Sequence, residues 1–233
     1  MREEFSRLEL LLGEDQTDAL KNKRIAIFGL GGVGGYVCEA LVRCGIEHFL
    51  LVDNDVVSLS NLNRQIIATR ETIGQKKTDV MRKRMESINN NVQVETIDAF
   101  VLQDNIKDFD LYNFDYVVDA IDTISGKIAI IERCKELNIP VISALGAGNK
   151  MNPSQLKITD INKTHTDPLA KVIRHELRKR NIKNVKVCFS SEEPIKPSKE
   201  IKVNKKIVPG SNSFVPSSMG LLIASEIIKD LTK

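Results

Sequence analysis

One stretch constrains this chain more than any other: Arg24-Ile25-Ala26-Ile27-Phe28 runs into Gly29-Leu30-Gly31-Gly32-Val33-Gly34-Gly35. An apolar run that breaks into glycines and then opens a helix reads as a buried strand feeding a phosphate-binding corner. The glycines let backbone approach a ligand, and the free N–H groups at the helix start face its negative charge. About twenty residues later, Phe49-Leu50-Leu51-Val52-Asp53 reads as a second apolar strand ending in an acid placed to hold ribose hydroxyls. The two together predict a bound nucleotide.

The periodicity predicts strands at about 24–28, 48–53, 92–97, 116–120, 140–144 and 156–161. Helices are expected at about 34–44, 75–89 and 125–138, with a turn and helix over 209–233. Strands alternating with helices give the α/β class. The expected fold is a doubly wound, mostly parallel, Rossmann-like sheet with an N-terminal helical arm and a C-terminal strand and helix extension. At 233 residues this fits a single domain. Its parts would be an arm over 1–22, a nucleotide-binding core over 23–150, and a substrate or dimerisation part over 151–233. Phe5, Leu8, Leu11 and Leu12 recur at helical spacing in the arm. Residues 190–206, with few large apolar groups, read as a mobile loop.

No apolar run reaches membrane-spanning length. Leu8 to Leu12 are too short and too acidic in their flanks for a signal peptide, so a cytoplasmic protein with no membrane partner is expected. The net charge of +3 is too small to prove nucleic-acid binding. Its distribution is more telling, because Lys171, Arg174, His175, Arg178, Lys179, Arg180, Lys183 and Lys186 crowd one segment. Lys196, Lys199, Lys202, Lys205 and Lys206 crowd the next. A basic C-terminal half suits a polyanionic partner, although such runs also occur as solvated helix faces. Cys38, Cys44, Cys134 and Cys188 form no CxxC pair, which excludes a structural zinc site built from two such pairs. The first three fall in apolar patterns and read as buried, inert thiols.

The spacing Gly29-x-Gly31-Gly32-x-Gly34 alone does not separate nucleotide classes. The segment after Asp53 argues against a dehydrogenase, since a polar loop, Asp53 to Gln65, replaces the immediate next helix. In it Arg64 can neutralise a triphosphate or a leaving pyrophosphate, and Asn61 can orient a phosphate or a reacting carbonyl. Lys76 and Lys77 open the next helix, where a lysine can reach back to phosphates; the commoner fate of a single lysine is the solvated surface. Asp119-Ala120-Ile121-Asp122 ends a parallel strand at the edge where such sheets bind ligands. A carboxylate there suits Mg2+, and a helix N-cap at Asp122-Thr123 is the structural alternative.

The glycine motif, the set Asp53, Asp55, Val56, Ser58, Asn61, Asn63, Arg64 and Gln65, then Lys77 and Asp119 to Asp122, resembles the ubiquitin-activating-like adenylyltransferases of the ThiF/MoeB/HesA type. The resemblance implies ATP with Mg2+, attack of a carboxylate on the α-phosphate, and a homodimer. Carried over residue by residue, it implies nucleotide contacts from Gly29, Gly31, Gly32, Gly34, Asp53, Asp55, Asn61, Arg64, Gln65, Lys77 and Asp122. Of these, Arg64, Lys77 and Asp122 would be catalytic, and Asp122 would hold the metal.

Beyond residue 144 the chain reads Ala144-Leu145-Gly146-Ala147-Gly148-Asn149-Lys150, then Asp167-Pro168-Leu169-Ala170, Val187-Cys188-Phe189-Ser190 and Pro209-Gly210-Ser211. This is similar to the branch that dehydrates N6-threonylcarbamoyladenosine in tRNA. That branch implies ATP-dependent cyclisation through an adenylated carboxylate, with tRNA carrying threonylcarbamoyladenosine as partner. A cysteine-desulfurase or sulfur-acceptor system is a further partner it could have. Backbone carbonyls in the 145–152 and 207–215 loops could hold a monovalent cation, Na+ or K+. The alternative is an adenylyltransferase for a ubiquitin-like sulfur-carrier protein. A nucleotide sensor and a nicotinamide dehydrogenase are more distant readings.

Overall fold

The computed structural model describes residues 3–203 and 206–233. Its helices are α1 (Ser6–Leu12), α2 (Glu14–Lys21), α3 (Gly34–Arg43), α4 (Lys77–Glu86), α5 (Ile124–Glu136), α6 (Pro168–Lys179) and α7 (Val215–Leu231). Its strands are β1 (Arg24–Phe28), β2 (His48–Val52), β3 (Gln93–Ile97), β4 (Tyr116–Asp119), β5 (Val141–Ala144), β6 (Leu156–Asp160), β7 (Lys186–Ser190), β8 (Lys202–Val203) and β9 (Lys206–Ile207). Seven of the strands form one sheet in the order β3-β2-β1-β4-β5-β7-β6. All its pairings are parallel except β6 with β7, which is antiparallel. The fold is α/β, and the sheet is mostly parallel, as the sequence predicts.

Strands β1 and β4 are apolar on both faces because helices cover both sides of the sheet. On one face Val37, Leu41, Met81, Met219 and Ile223, from α3, α4 and α7, pack on Ile25, Ile27 and Leu51. On the other, Ala129, Ile130 and Cys134 of α5 join Phe109 and Leu111 against Ala26, Phe28 and Val117. Strand order reverses beside β1: the chain builds outward to β3 and returns on the opposite side at β4. The carboxyl ends of β1 and β4 therefore diverge into a crevice, the usual ligand position in such sheets.

Three features differ from the sequence expectation. First, α6 and β7 fill a stretch read only as basic. Asp167 caps α6 by accepting the Leu169 and Ala170 N–H groups, and Pro168 opens the helix. Cys188 sits inside β7, fully buried, and burial pushes its thiol up to about 12. Second, the arm is two short helices parted at Gly13: of the expected stripe Phe5, Leu8 and Leu12 reach the core, and Leu20 of α2 joins them. Leu11, one of the four residues in the expected stripe, is 82% exposed. Third, of the segment 190–206, Ser190 ends β7 and β8 pairs antiparallel with β9. Lys205 lies outside the described residues.

Candidate active site

A cleft of about 680 Å3 opens at the carboxyl ends of the central strands. The glycine turn forms its floor. Gly29 has φ +90°, and a Cβ there would stand 2.7 Å from the Ala120 carbonyl oxygen. Gly34 lies outside the cleft lining, where a Cβ would come within 1.8 Å of the Gly29 carbonyl oxygen. Its place is the contact between helix α3 and the end of β1. Gly29, Gly31 and Gly32 do line the cleft.

The acid closing β2 is tied to this turn. Asp53 Oδ2 accepts the Leu30 N–H at 2.6 Å, and Oδ1 accepts the Asp55 N–H at 2.8 Å. Burial raises its carboxyl above the ordinary range, opposed by the Lys77 charge and these two bonds. Each oxygen keeps a lone pair for a ligand hydroxyl. Lys77, 5% exposed, donates to Asp55 Oδ2 at 2.6 Å. Lys77 is thus a buried cation at the cleft wall, and Asp55 its exposed partner.

The polar loop after β2 folds as a 3-10 turn over Leu59–Asn61. Buried Asn61 shapes it, its Oδ1 accepting the Ser58 N–H at 3.0 Å. Arg64 Nη1 donates to the Ser60 carbonyl at 2.8 Å and to Asn63 Oδ1 at 2.9 Å. Burial lowers the Arg64 pKa, and a guanidinium still keeps its charge. No acid pairs with it among the described residues, so its charge is available to a ligand. Gln65 is buried, and its Oε1 has no hydrogen-bond partner there. An unpaired buried acceptor on a cleft wall is costly unless a ligand donor satisfies it.

The two acids ending β4 part company. Asp119 is fully buried; Lys127 Nζ approaches its oxygens at 3.1 and 3.2 Å, and Ser143 Oγ donates at 2.5 Å. Lys127 also donates to the Ala144 carbonyl at 2.6 Å, which ties α5 to β4 and β5 directly beneath the cleft. Asp119 therefore has no capacity for a metal. Asp122 is exposed, lines the cleft and has no protein partner among the described residues. Helix α5 takes Thr123 at its N-cap position with no side-chain cap bond, so Asp122 does not serve as the alternative N-cap. One free carboxylate beside a phosphate-binding turn fits Mg2+, which commonly takes one or two carboxylates and completes its shell with phosphates and water. Among the described residues no cluster of three or more His, Cys, Asp or Glu offers an all-protein metal cage.

Several cleft residues lie outside the expected nucleotide contacts, although the 207–215 loop was expected to offer carbonyls to a cation. Phe100, 45% exposed, comes just after β3, Ile207 ends β9, and Val208, Pro209 and Ser211 come from the loop ahead of α7. Residues 207–211 are held at the site because Asn149 joins its loop to theirs. The Asn149 N–H donates to the Gly210 carbonyl at 2.7 Å, and Asn149 Oδ1 accepts the Gly210 N–H at 2.6 Å. Phe100 could have been suspected from its position just past a strand's carboxyl end. The Lys127 cluster and the Asn149 clasp depend on contacts between distant segments.

Comparison with known proteins agrees with this fold. The ThiF family profile matches residues 5–233. The chain is 43% identical to the Bacillus subtilis (strain 168) tRNA threonylcarbamoyladenosine dehydratase, over 100% of this chain and 96% of that protein. It is 36% identical to the Escherichia coli (strain K12) protein of the same name, over 85% of this chain and 77% of that one. A crystal structure of the E. coli tRNA N6-threonylcarbamoyladenosine dehydratase in complex with ATP superposes with a TM-score of 0.90 at 33% identity, covering 99% of this chain and 94% of that chain. A family profile spanning nearly the whole chain, set on this sheet and this cleft, leaves one assignment: the chain belongs to the ThiF family.

Proposed function

We propose that this chain is an ATP-dependent enzyme that dehydrates N6-threonylcarbamoyladenosine in tRNA to a cyclic product. The observation that carries the reading is the full-length likeness to a dehydratase seen with ATP, joined to a cleft that offers a glycine turn, two cations and a free carboxylate.

The chemistry asks for little beyond positioning and charge. A carboxylate is a poor electrophile because its leaving group would be oxide or hydroxide. Attack of a carboxylate oxygen on the α-phosphorus releases pyrophosphate and makes AMP the new leaving group. A nucleophile within the same modification then attacks the activated carbonyl, a ring closes and AMP departs. The attacking group is already on the substrate, so the protein supplies orientation and electrostatic stabilisation rather than a nucleophile. The buried, protonated Cys188 thiol is consistent with that economy.

In this reading the Gly29 to Gly32 backbone receives the phosphates, and Asp53 accepts ribose hydroxyls. Gln65 Oε1 takes a ligand donor. Arg64 and Lys77 offset charge on the departing pyrophosphate, and Asn61 holds the loop that aims Arg64. Asp122 would hold Mg2+, which when bound neutralises phosphate charge. The carbonyls of the loops clasped by Asn149 and Gly210 are the donor set for a monovalent cation. Leu10 and Leu11, 85% and 82% exposed on the arm, are the apolar contact for a homodimer.

Mass spectrometry of nucleosides from modified tRNA incubated with protein and ATP tests the reading. Loss of one water from threonylcarbamoyladenosine, with one AMP formed per event, is the expected result. No loss, with ATP–pyrophosphate exchange driven by a small protein ending in Gly-Gly, would move the chain to carrier-protein activation.

A further inference from the structure

We propose that the outward face of α6, with Lys163 just ahead of it, is the surface that grips the RNA backbone flanking the reacting nucleoside. The inference rests on the tRNA reading above and names the part of the protein that holds the polyanion.

Helix α6 buries Ala170, Ile173 and Leu177 against α5 and β7 and turns its remaining positions outward. Most of those positions are basic: Lys171, His175, Arg178 and Lys179 are exposed, as are Lys163 before the helix and Lys183 after it, with Val172 the apolar exception. Two acids near this face are already paired with cations. Glu176, the one acid of α6, is held by Lys179 at 2.9 Å and Arg180 at 2.7 Å, and Glu132 of α5 pairs with Arg180 at 3.0 Å. Asp160 accepts the Asn162 N–H. Arg178 reaches only Asn162, at 3.5 Å, and Lys163, Lys171 and Lys183 meet no acid among the described residues. The β3 edge is different. There Lys76, Arg82 and Arg84 are paired, with Asp98, Asp79 and Glu39, and Lys83 alone of α4's cations meets no acid among the described residues.

Position gives the unpaired cations their meaning. Asp167, the cap of α6, accepts the Gly146 N–H at 2.9 Å, and Gly148, two residues on, lines the cleft. The helix therefore starts at the cleft wall and leads away from it for about 18 Å. Lys171 lies one turn in, and Arg178 about 10 Å farther along the axis. A nucleoside inserted in the cleft must lead its strand out over a wall, and on this side the wall continues as a row of cations without partners. Cations without acid partners are what a phosphate backbone selects.

The test uses the full chain carrying Lys163→Glu, Lys171→Glu and Arg178→Glu together. A second variant, Lys196→Glu with Lys199→Glu and Lys202→Glu, provides the comparison from the β8 side. Affinity for an unmodified tRNA transcript is measured by fluorescence anisotropy across a salt series. The α6 variant should bind about tenfold or more weaker, and its log–log salt slope should be shallower by about 2, as loss of three phosphate contacts requires. Thermal unfolding should match the parent, because the altered side chains face solvent. Its KM for modified tRNA should rise, with kcat approached at high RNA. Unchanged affinity and slope in the α6 variant would overturn the assignment, as would loss of the slope in the second variant alone. Water loss by the parent protein, scored in parallel, separates the two ideas: its absence overturns the enzymatic reading, whereas its presence with an unaltered α6 variant overturns only the surface.

Discussion

Asp119 is enclosed at the end of β4 between Lys127 and Ser143, whereas Asp122, three residues on, faces the cleft without a partner among the described residues. The same residue type at the same strand end thus has two physical roles, set by burial and partners. For Asp122→Ala the expectation is loss of AMP formation by about 100-fold or more, the order seen when one electrostatic stabiliser is removed. Stability should stay within about 0.5 kcal/mol, because an exposed carboxylate without partners holds nothing together. Pyrophosphate release and urea unfolding on the same preparation measure both. Retained turnover would remove Asp122 from the metal role. Removing the Lys127 charge by Lys127→Met should do the reverse to stability, costing about 3–5 kcal/mol by leaving Asp119 charged, buried and without its cation.

At the scale of elements, α3 and α4 are joined by one carboxylate. Glu39 of α3 accepts from Arg43 at 2.7 and 2.9 Å and from Arg84 of α4 at 2.7 and 3.0 Å. Burial alone would raise the Glu39 carboxyl, but the two arginines outweigh it and hold the group below its ordinary value. A carboxyl depressed in the folded state adds stability above its unfolded pKa of about 4.3 and loses it as pH falls through the folded pKa. Glu39→Gln should therefore cost about 1–3 kcal/mol near pH 7. The gap to the parent should close below about pH 4, as read from urea midpoints across pH. A gap constant with pH would show that packing, not charge, carries the pair. Elements with strong local patterns, such as β1, β2, α3 and β4, were legible in the sequence because period and punctuation agree. Helix α6 was not, although Asp167-Pro168 and the Ala170, Ile173, Leu177 spacing mark it, because its many cations read as a solvated run. The antiparallel turn of β6 was hidden for another reason: alternation tells which faces are buried and says nothing of direction. The site divides the same way. Residues in one glycine turn or one loop, Gly31, Asp53, Arg64 and Lys77 among them, announce themselves by local spacing. Lys127 and the Asn149 clasp depend on which distant segments the topology brings together.

For the whole molecule, the cleft draws its walls from segments that run from Gly29 to Pro216, so nucleotide binding is coupled to the folding of nearly the entire chain. A ligand that binds only the folded state stabilises it by RT ln(1 + [L]/Kd), about 2.7 kcal/mol at one hundred times Kd. In a chain of this size each kcal/mol moves the midpoint by about 2–4 °C, so saturating ATP with Mg2+ should raise Tm by about 5–10 °C. The rise should scale with the logarithm of ATP concentration, which a fixed ionic-strength effect would not do. NAD+ at the same concentration should leave Tm unchanged, because the polar loop carrying Asn61 and Arg64 stands where a dehydrogenase would begin its next helix. Calorimetry at matched ionic strength decides the matter: a shift with NAD+ and none with ATP would return the cleft to nicotinamide chemistry, whatever the likeness in fold.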